Sequence, residues 1–207
     1  MAKLPSSLQK QVAGGIKILK KGGIVAFPTD TVYGLGAGMN QEAAVRRLYQ
    51  VKERPLDMAL PLLLARTAQV MSIAGEIPPV GWRLIREFMP GALTLVLPKS
   101  DTVPDIITAG GVTVAIRIPD HPVPVALAEG LGVPVVGTSA NLSGRPSPLT
   151  PEEVAAQMGN GIDLIIDGGR CPGGIESTII DVTGETPVVL REGAISREEL
   201  QRVCQVI

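Results

Sequence analysis

Glycine and proline punctuate this chain so densely that few elements can run long: 24 Gly and 18 Pro fall among 207 residues. They follow no collagen-like period, and they separate short aliphatic runs such as IVAF, ALTLVL and PVV. Proline fixes φ and removes a backbone donor, and glycine weakens the interior of any element, so the pattern predicts many turns joining aliphatic strands. Glycine set between Val/Ile runs also predicts backbone brought close to ligands rather than disorder. The chain is 45% hydrophobic and 19% charged, enough to bury a core. At this length one domain covering residues 1–207 is expected, without a C-terminal extension. No apolar run approaches the roughly eighteen residues of a membrane-spanning helix. The opening MAKLPSSLQKQ has no apolar core followed by a cleavage site, so a soluble, cytoplasmic protein with no membrane contact is expected.

Scarce residue types exclude whole chemistries. Cys171 and Cys204 are the two cysteines, in no paired spacing, and His121 is the single histidine. Zinc-hydrolase and Cys-His chemistries are thereby removed, and a Ser-His-Asp triad would hang on one residue inside PDHP. Nineteen basic residues against twenty acidic give a net charge of −1, which offers no global field for wrapping nucleic acid. Five aromatic residues offer little for stacking on single strands.

Leu8, Val12, Ile16 and Leu19 form one apolar stripe and predict a helix from Ser7 that ends at Gly22-Gly23. Ile24 to Phe27 reads as a buried strand, and QEAAVRRLYQ after Asn40 as a second helix stopped by Pro55. Strands are expected over 59–65, 92–98, 134–140, 162–167, 176–183 and 187–191, with helical stretches around 67–74, around 79–88 and after Pro122. In GVTVAIRIP, alternation puts Val112, Val114, Ile116 and Ile118 on one face and Thr113, Ala115 and Arg117 on the other. Thr150 with Glu153, and Ser196 with Glu199, read as helix-starting capping pairs. Strands mixed with helices predict an α/β sheet, and the closely spaced late strands predict antiparallel segments within it.

Several polar clusters stand at the ends of these strands. PTDTVYGLGAG offers Thr29, Asp30, Thr31 and Tyr33 where a strand opens into a loop, although its G-x-G-x-G spacing is wrong for a dinucleotide fingerprint and a flexible turn explains it equally well. Lys52 and Arg54, if extended, point the same way and suit a polyphosphate, while a solvated helix end is the plainer explanation. GTSANLSGRPSP gathers Thr138, Ser139, Asn141, Ser143 and Ser147 around Gly144 and Arg145, which fits either an anion nest or an ordinary turn. An inward Arg117 on an aliphatic strand demands an anion, either a structural carboxylate such as Asp120 or Asp181, or a substrate carboxylate. Ser177, Thr178 and Arg191 repeat the pattern near the end of the chain.

Taken together, GGIVAFPTDTVYGLG, YQVKERP, VAIRIPDHP, TSANLSGRPSP, DGG with ESTIID, and VLREGAIS resemble the YrdC-like family, in that family's order, across residues 22–195. The family's Lys-x-Arg followed by Ser-x-Asn appears here as Lys52-Glu53-Arg54 and Ser139-Ala140-Asn141. The resemblance implies an α/β fold: a twisted mixed parallel/antiparallel sheet with flanking helices around a large concave cavity. It implies a nucleotidyltransferase that joins L-threonine, bicarbonate and ATP into threonylcarbamoyl-adenylate with release of pyrophosphate. A downstream tRNA-modifying transferase complex would then use that product on an adenosine of certain tRNAs.

Carried over by position, Thr31, Arg117 and Ser177 would bind threonine, and the glycines after the strand at 24–27 would make room for it and the nucleotide. Lys52, Arg54, Thr113, Ser139, Asn141, Ser147 and Arg191 would bind ATP, with Lys52 and Arg54 as the catalytic cations. Mg2+ would accompany the ATP. The chain departs from many relatives at Met58-Ala59 and at Leu63, where they carry polar residues. The alternative function is an RNA-binding module with an electropositive cavity, enlarged by Arg46 and Arg47 and without adenylate chemistry. A weak RNA contact is compatible with the enzyme reading as well.

Overall fold

The computed structural model describes residues 4–207. In chain order its elements are α1 (Ser6–Lys20), β1 (Val25–Phe27), β2 (Gly34–Gly38), α2 (Glu42–Val51), β3 (Leu62–Leu63), α3 (Val70–Ile73), α4 (Pro79–Phe88) and β4 (Leu93–Pro98). These are followed by α5 (Asp105–Thr108), β5 (Thr113–Arg117), α6 (Pro122–Leu131), β6 (Val135–Ser139), α7 (Pro151–Met158), β7 (Leu164–Ile165), β8 (Thr178–Asp181), β9 (Val188–Arg191) and α8 (Arg197–Gln201). Among the described residues the strands form one sheet in the order β7-β1-β2-β6-β3-β5-β4-β8-β9. The pairs β1/β7, β3/β5 and β4/β8 are parallel and the other neighbours antiparallel, so the sheet is mixed, and the last two strands form the antiparallel segment expected of them.

Paired residues share a face, which makes the sheet's two sides traceable through its register. Ala26, Leu35, Leu62, Val136, Ile116 and Leu95 lie on one side, in a core that includes Leu48 of α2, Leu84 of α4 and Val154 of α7. Val25, Phe27, Leu63 and Val135 lie on the other side, packed with Val12 and Leu19 of α1 and Val123 and Leu127 of α6. Helices α1 and α6 cover only part of this second side. Farther along it, Gly137, Ser139, Ala115, Arg117, Thr94 and Ile179 line a cavity.

Several local expectations require correction. The glycines of GLGAG form a strand, β2, buried at every residue. A Cβ at Gly34 would lie 2.7 Å from the Phe27 ring, and one at Gly36 would lie 2.6 Å from Val135 Cγ1. The bare backbone there is occupied first by the protein's own side chains, rather than simply opening room for ligands. β3 is shorter than 59–65 because Pro61 lacks the amide a ladder needs. Its backbone still docks, with Leu60 N donating to Ile107 O and Leu64 N to Arg117 O. Val112 does not join the apolar face: it precedes β5 and is 79% exposed. The caps fall as their sequences indicate. Thr150 accepts from Glu153 N, and Ser196 and Glu199 bond reciprocally. The single histidine is a cap too, with His121 Nδ1 accepting from Val123 N at the start of α6. Among the described residues no helix is long and apolar enough to cross a membrane.

Candidate functional site

The cavity has a volume of about 560 Å3 and contains two cationic corners built in different ways. The first is created by the end of α2. Lys52 is its C-cap, and the chain then reverses through Glu53 at φ 50, a left-handed conformation. Glu53 N donates to Gln50 O and Arg54 N to Tyr49 O, the paired bonds of a Schellman motif. Placing Glu rather than Gly at that position costs about 1 kcal/mol. This turn, not an extended segment, is what brings both Lys52 and Arg54 to the cavity wall.

Lys52 is 1% exposed. Its ammonium donates to Ser139 O at 2.5 Å, Asn141 O at 2.6 Å and Asn141 Oδ1 at 3.2 Å, so each of its three protons has an acceptor. Its backbone carbonyl in turn accepts from Ser143 N. The side chain therefore clamps the loop after β6 and fixes Ser139, whose hydroxyl donates to Asn141 Oδ1 at 2.6 Å. Burial pulls the Lys52 pKa down from the ordinary 10.5 to about 8, with Arg54 adding to the shift and Glu176 opposing it. Among the described residues Arg54 is held by backbone alone, donating from Nε to Met58 O and from Nη2 to Ala59 O. The residues at which the sequence departs from many relatives thus contribute carbonyls to Arg54.

The second corner surrounds Arg117, the inward residue of β5, which is 7% exposed. Its Nη2 donates to Asp30 Oδ1 at 2.6 Å, Nη1 to Thr31 Oγ1 at 3.0 Å and Nε to Gly91 O at 2.9 Å. The structural carboxylate is therefore Asp30, neither Asp120 nor Asp181. Thr31 is held in turn, its Oγ1 lying 3.0 Å from Thr29 Oγ1, which donates to Val32 O.

A third set of contacts ties the far wall. Ser177 Oγ lies 2.8 Å from Thr94 Oγ1. Arg191 donates from Nη2 to Ser177 O at 2.7 Å and pairs through Nη1 with Glu176. The other Glu176 oxygen accepts from Ser147 Oγ at 2.5 Å, joining the loop after β6 to β9.

Of the residues singled out in the sequence, Lys52, Arg54, Ser139, Asn141, Arg191, Thr31, Arg117 and Ser177 line one cavity. Ser147 reaches that wall through Glu176, and Thr113 shares the Arg117 face without being part of the lining. The sequence reading missed the roles of Asp30 and Glu176. Asp30 stood among the polar residues of PTDTVYGLGAG without a partner assigned, and Glu176 is adjacent to Ser177, which was the available signal. Among the described residues, no group of three or more His, Cys, Asp or Glu side chains could hold a metal ion.

The chain matches the Sua5/YciO/YrdC family model, described as telomere recombination, over residues 17–193. It is 43% identical over 199 residues to the threonylcarbamoyl-AMP synthase of Bacillus subtilis, covering 96% of this chain and 58% of that protein. Identity to the threonylcarbamoyl-AMP synthase of Pyrococcus abyssi is 45% over 193 residues, covering 93% of this chain and 56% of that protein. Among solved structures, P. abyssi Sua5 complexed with L-threonine matches with a TM-score of 0.93 at 41% identity, over 100% of this chain and 61% of that one. Escherichia coli YciO matches with a TM-score of 0.83 at 30% identity, over 92% of each chain. The chain thus spans little more than half the length of the threonylcarbamoyl-AMP synthases from B. subtilis and P. abyssi. A family match across residues 17–193, together with identities above 40% to those two synthases over more than nine-tenths of this chain, makes it a member of the Sua5/YciO/YrdC family.

Proposed function

We propose that this chain synthesises threonylcarbamoyl-adenylate from L-threonine, bicarbonate and ATP, releasing pyrophosphate. The observation that carries this reading is a single cavity with two cationic corners, one neutralised by a carboxylate and one not. Arg117, balanced by Asp30 and fixed beside Thr31, suits a zwitterion whose carboxylate needs a donor and whose charge is modest. Lys52 and Arg54 are bonded to neutral oxygens only, and that corner suits a polyanion. That P. abyssi Sua5 has been solved in complex with L-threonine supports L-threonine as the amino acid.

In this arrangement the threonine amine adds to the carbon of carbon dioxide and loses a proton, or condenses with bicarbonate with expulsion of water, giving a carbamate in either case. A carbamate oxygen then attacks the α-phosphorus and pyrophosphate leaves. The chain's contribution is alignment and charge stabilisation. Arg117, Thr31 and Ser177 would hold the amino acid, while Lys52, through the Ser139–Ser143 loop, and Arg54 would steady the phosphates. The residues present do not fit a resident metal site. Glu176 is the one carboxylate lining the cavity among the described residues, and Ser147 and Arg191 already engage it. Mg2+ is therefore assigned to the incoming nucleotide, held by phosphate and water.

The adenylate would pass to a tRNA-modifying transferase complex in the cytoplasm, with any RNA contact by this chain weak. The test is pyrophosphate release from ATP by the purified chain. Release is expected only when L-threonine and bicarbonate are both present. Release indifferent to the omission of either overturns the assignment.

A further inference from the structure

Five cationic side chains line the cavity among the described residues: Lys52, Arg54, Arg117, Arg145 and Arg191. Four of them are committed to acceptors within the protein. Lys52 is bound to three oxygens, Arg54 to two carbonyls, Arg117 to Asp30, Thr31 and Gly91, and Arg191 to Glu176 and Ser177. Arg145 differs. It is exposed at the cavity wall, and among the described residues its guanidinium makes no hydrogen bond or ion pair.

Its backbone, by contrast, is pinned on every side. Arg145 N donates to Leu142 O at 3.0 Å, closing a four-residue turn whose third residue, Gly144, has φ 81. Arg145 O accepts from Asn141 Nδ2 at 2.6 Å. The next carbonyl, of Pro146, accepts from Gln157 Nε2 at 2.9 Å, and Ser147 is anchored to Glu176. A rigid pedestal thus presents an uncommitted planar cation. The pedestal is also connected to the Lys52 corner, because the Asn141 carboxamide that holds Arg145 O accepts from Lys52 Nζ through its own oxygen.

We propose that Arg145 captures the phosphate chain of the incoming nucleotide, an inference that rests on the nucleotide reading above. An anion entering the cavity finds all three Lys52 protons engaged and some of the N–H donors of Arg54, Arg117 and Arg191 already bonded. At Arg145 it meets donors with no bond to give up, at the cost only of side-chain rotamer freedom. The guanidinium fork matches two phosphate oxygens at once, which a point charge does not.

The test is calorimetric titration of the full chain with ATP, with pyrophosphate alone and with adenosine, comparing wild type with Arg145→Gln and Arg145→Lys. Arg145→Gln is expected to weaken ATP and pyrophosphate binding roughly tenfold, as for loss of a charge-assisted contact. Adenosine binding and the melting temperature should stay unchanged, since among the described residues this guanidinium makes no hydrogen bond or ion pair. Arg145→Lys should recover only part of the lost affinity, because an ammonium restores the charge and not the fork. Unchanged pyrophosphate affinity in Arg145→Gln, or an equal loss for adenosine, overturns the inference. Wild type that binds pyrophosphate but not ATP removes the nucleotide reading, and Arg145 is then judged on pyrophosphate alone. Wild type that binds neither overturns both.

Discussion

Lys52 and Arg117 are both buried cations on the wall of one cavity, 1% and 7% exposed, yet they are solvated by different chemistry. Arg117 has a formal counter-ion in Asp30. Lys52 has three neutral oxygens, which satisfy its protons but leave its charge uncancelled. Hydrogen bonding and neutralisation are thus separate requirements of a buried charge, and a fold can meet the first without the second. The Arg117 corner is close to neutral before any ligand arrives and can recognise shape and a single carboxylate. The Lys52 corner stays positive and draws in whatever anion can balance it. On the proposed reaction, one cavity would in this way keep an amino acid and a triphosphate in separate places.

The sharpest way to break the comparison is Arg117→Ala. Removing the guanidinium leaves the part-buried Asp30 without its counter-ion, with an expected loss of about 3 kcal/mol in denaturant unfolding. Asp30→Asn in the same background should return part of that loss, and a double-mutant cycle that shows no coupling would refute the pairing.

Next in size is Lys52→Met, which strips the donor from three oxygens. It should cost about 2 kcal/mol of stability and weaken ATP binding by about two orders of magnitude. Arg54→Ala isolates the phosphate contribution, because its bonds reach only the Met58 and Ala59 carbonyls. It should cost less than about 1 kcal/mol in unfolding while still weakening ATP binding roughly tenfold. Sequence alone would have paired these two variants as equally harmless to folding. The clamp on the Ser139–Ser143 loop is what separates them.

A further expected effect is one of pH. Lys52 titrates near 8 in the folded chain against its ordinary 10.5. Its charge is present below pH 8 and lost above it, so ATP affinity should fall as pH rises through about 8. Between the two values the unfolded chain binds more protons than the folded one, so this group's contribution to stability rises with pH. Affinity and stability should therefore move in opposite directions over that window, and Lys52→Met should abolish the divergence. Parallel declines in wild type would assign the titration to another group.

Strand alternation made Arg117 legible as an inward residue, because a period of two is a local property. Its partner was not legible, since Asp30 lies 87 residues away in sequence and the choice among carboxylates is made by packing. The same holds for Glu176, which meets Arg191 and Ser147 only once β8 and β9 have joined the sheet. β2 was hidden by its composition, since glycine-rich GLGAG has little strand propensity and becomes a strand because Phe27 and Val135 need its bare face. Lys52 and Arg54 were identified as a pair, but the geometry that unites them is a helix-ending turn with a left-handed Glu53, a conformation a glutamate does not announce.

The strand order carries a consequence for biosynthesis. β4 lies against β8, so residues 93–96 pair with 178–181, and the wall holding Ser177 and Arg191 is translated after Lys52 and Arg117. Lys52 and Arg117 therefore emerge from the ribosome well before the residues of the opposite wall are synthesised. Pairings so distant along the polypeptide favour slow folding, on the order of milliseconds to seconds after release. The growing chain therefore has its means of attracting anions before its means of enclosing them.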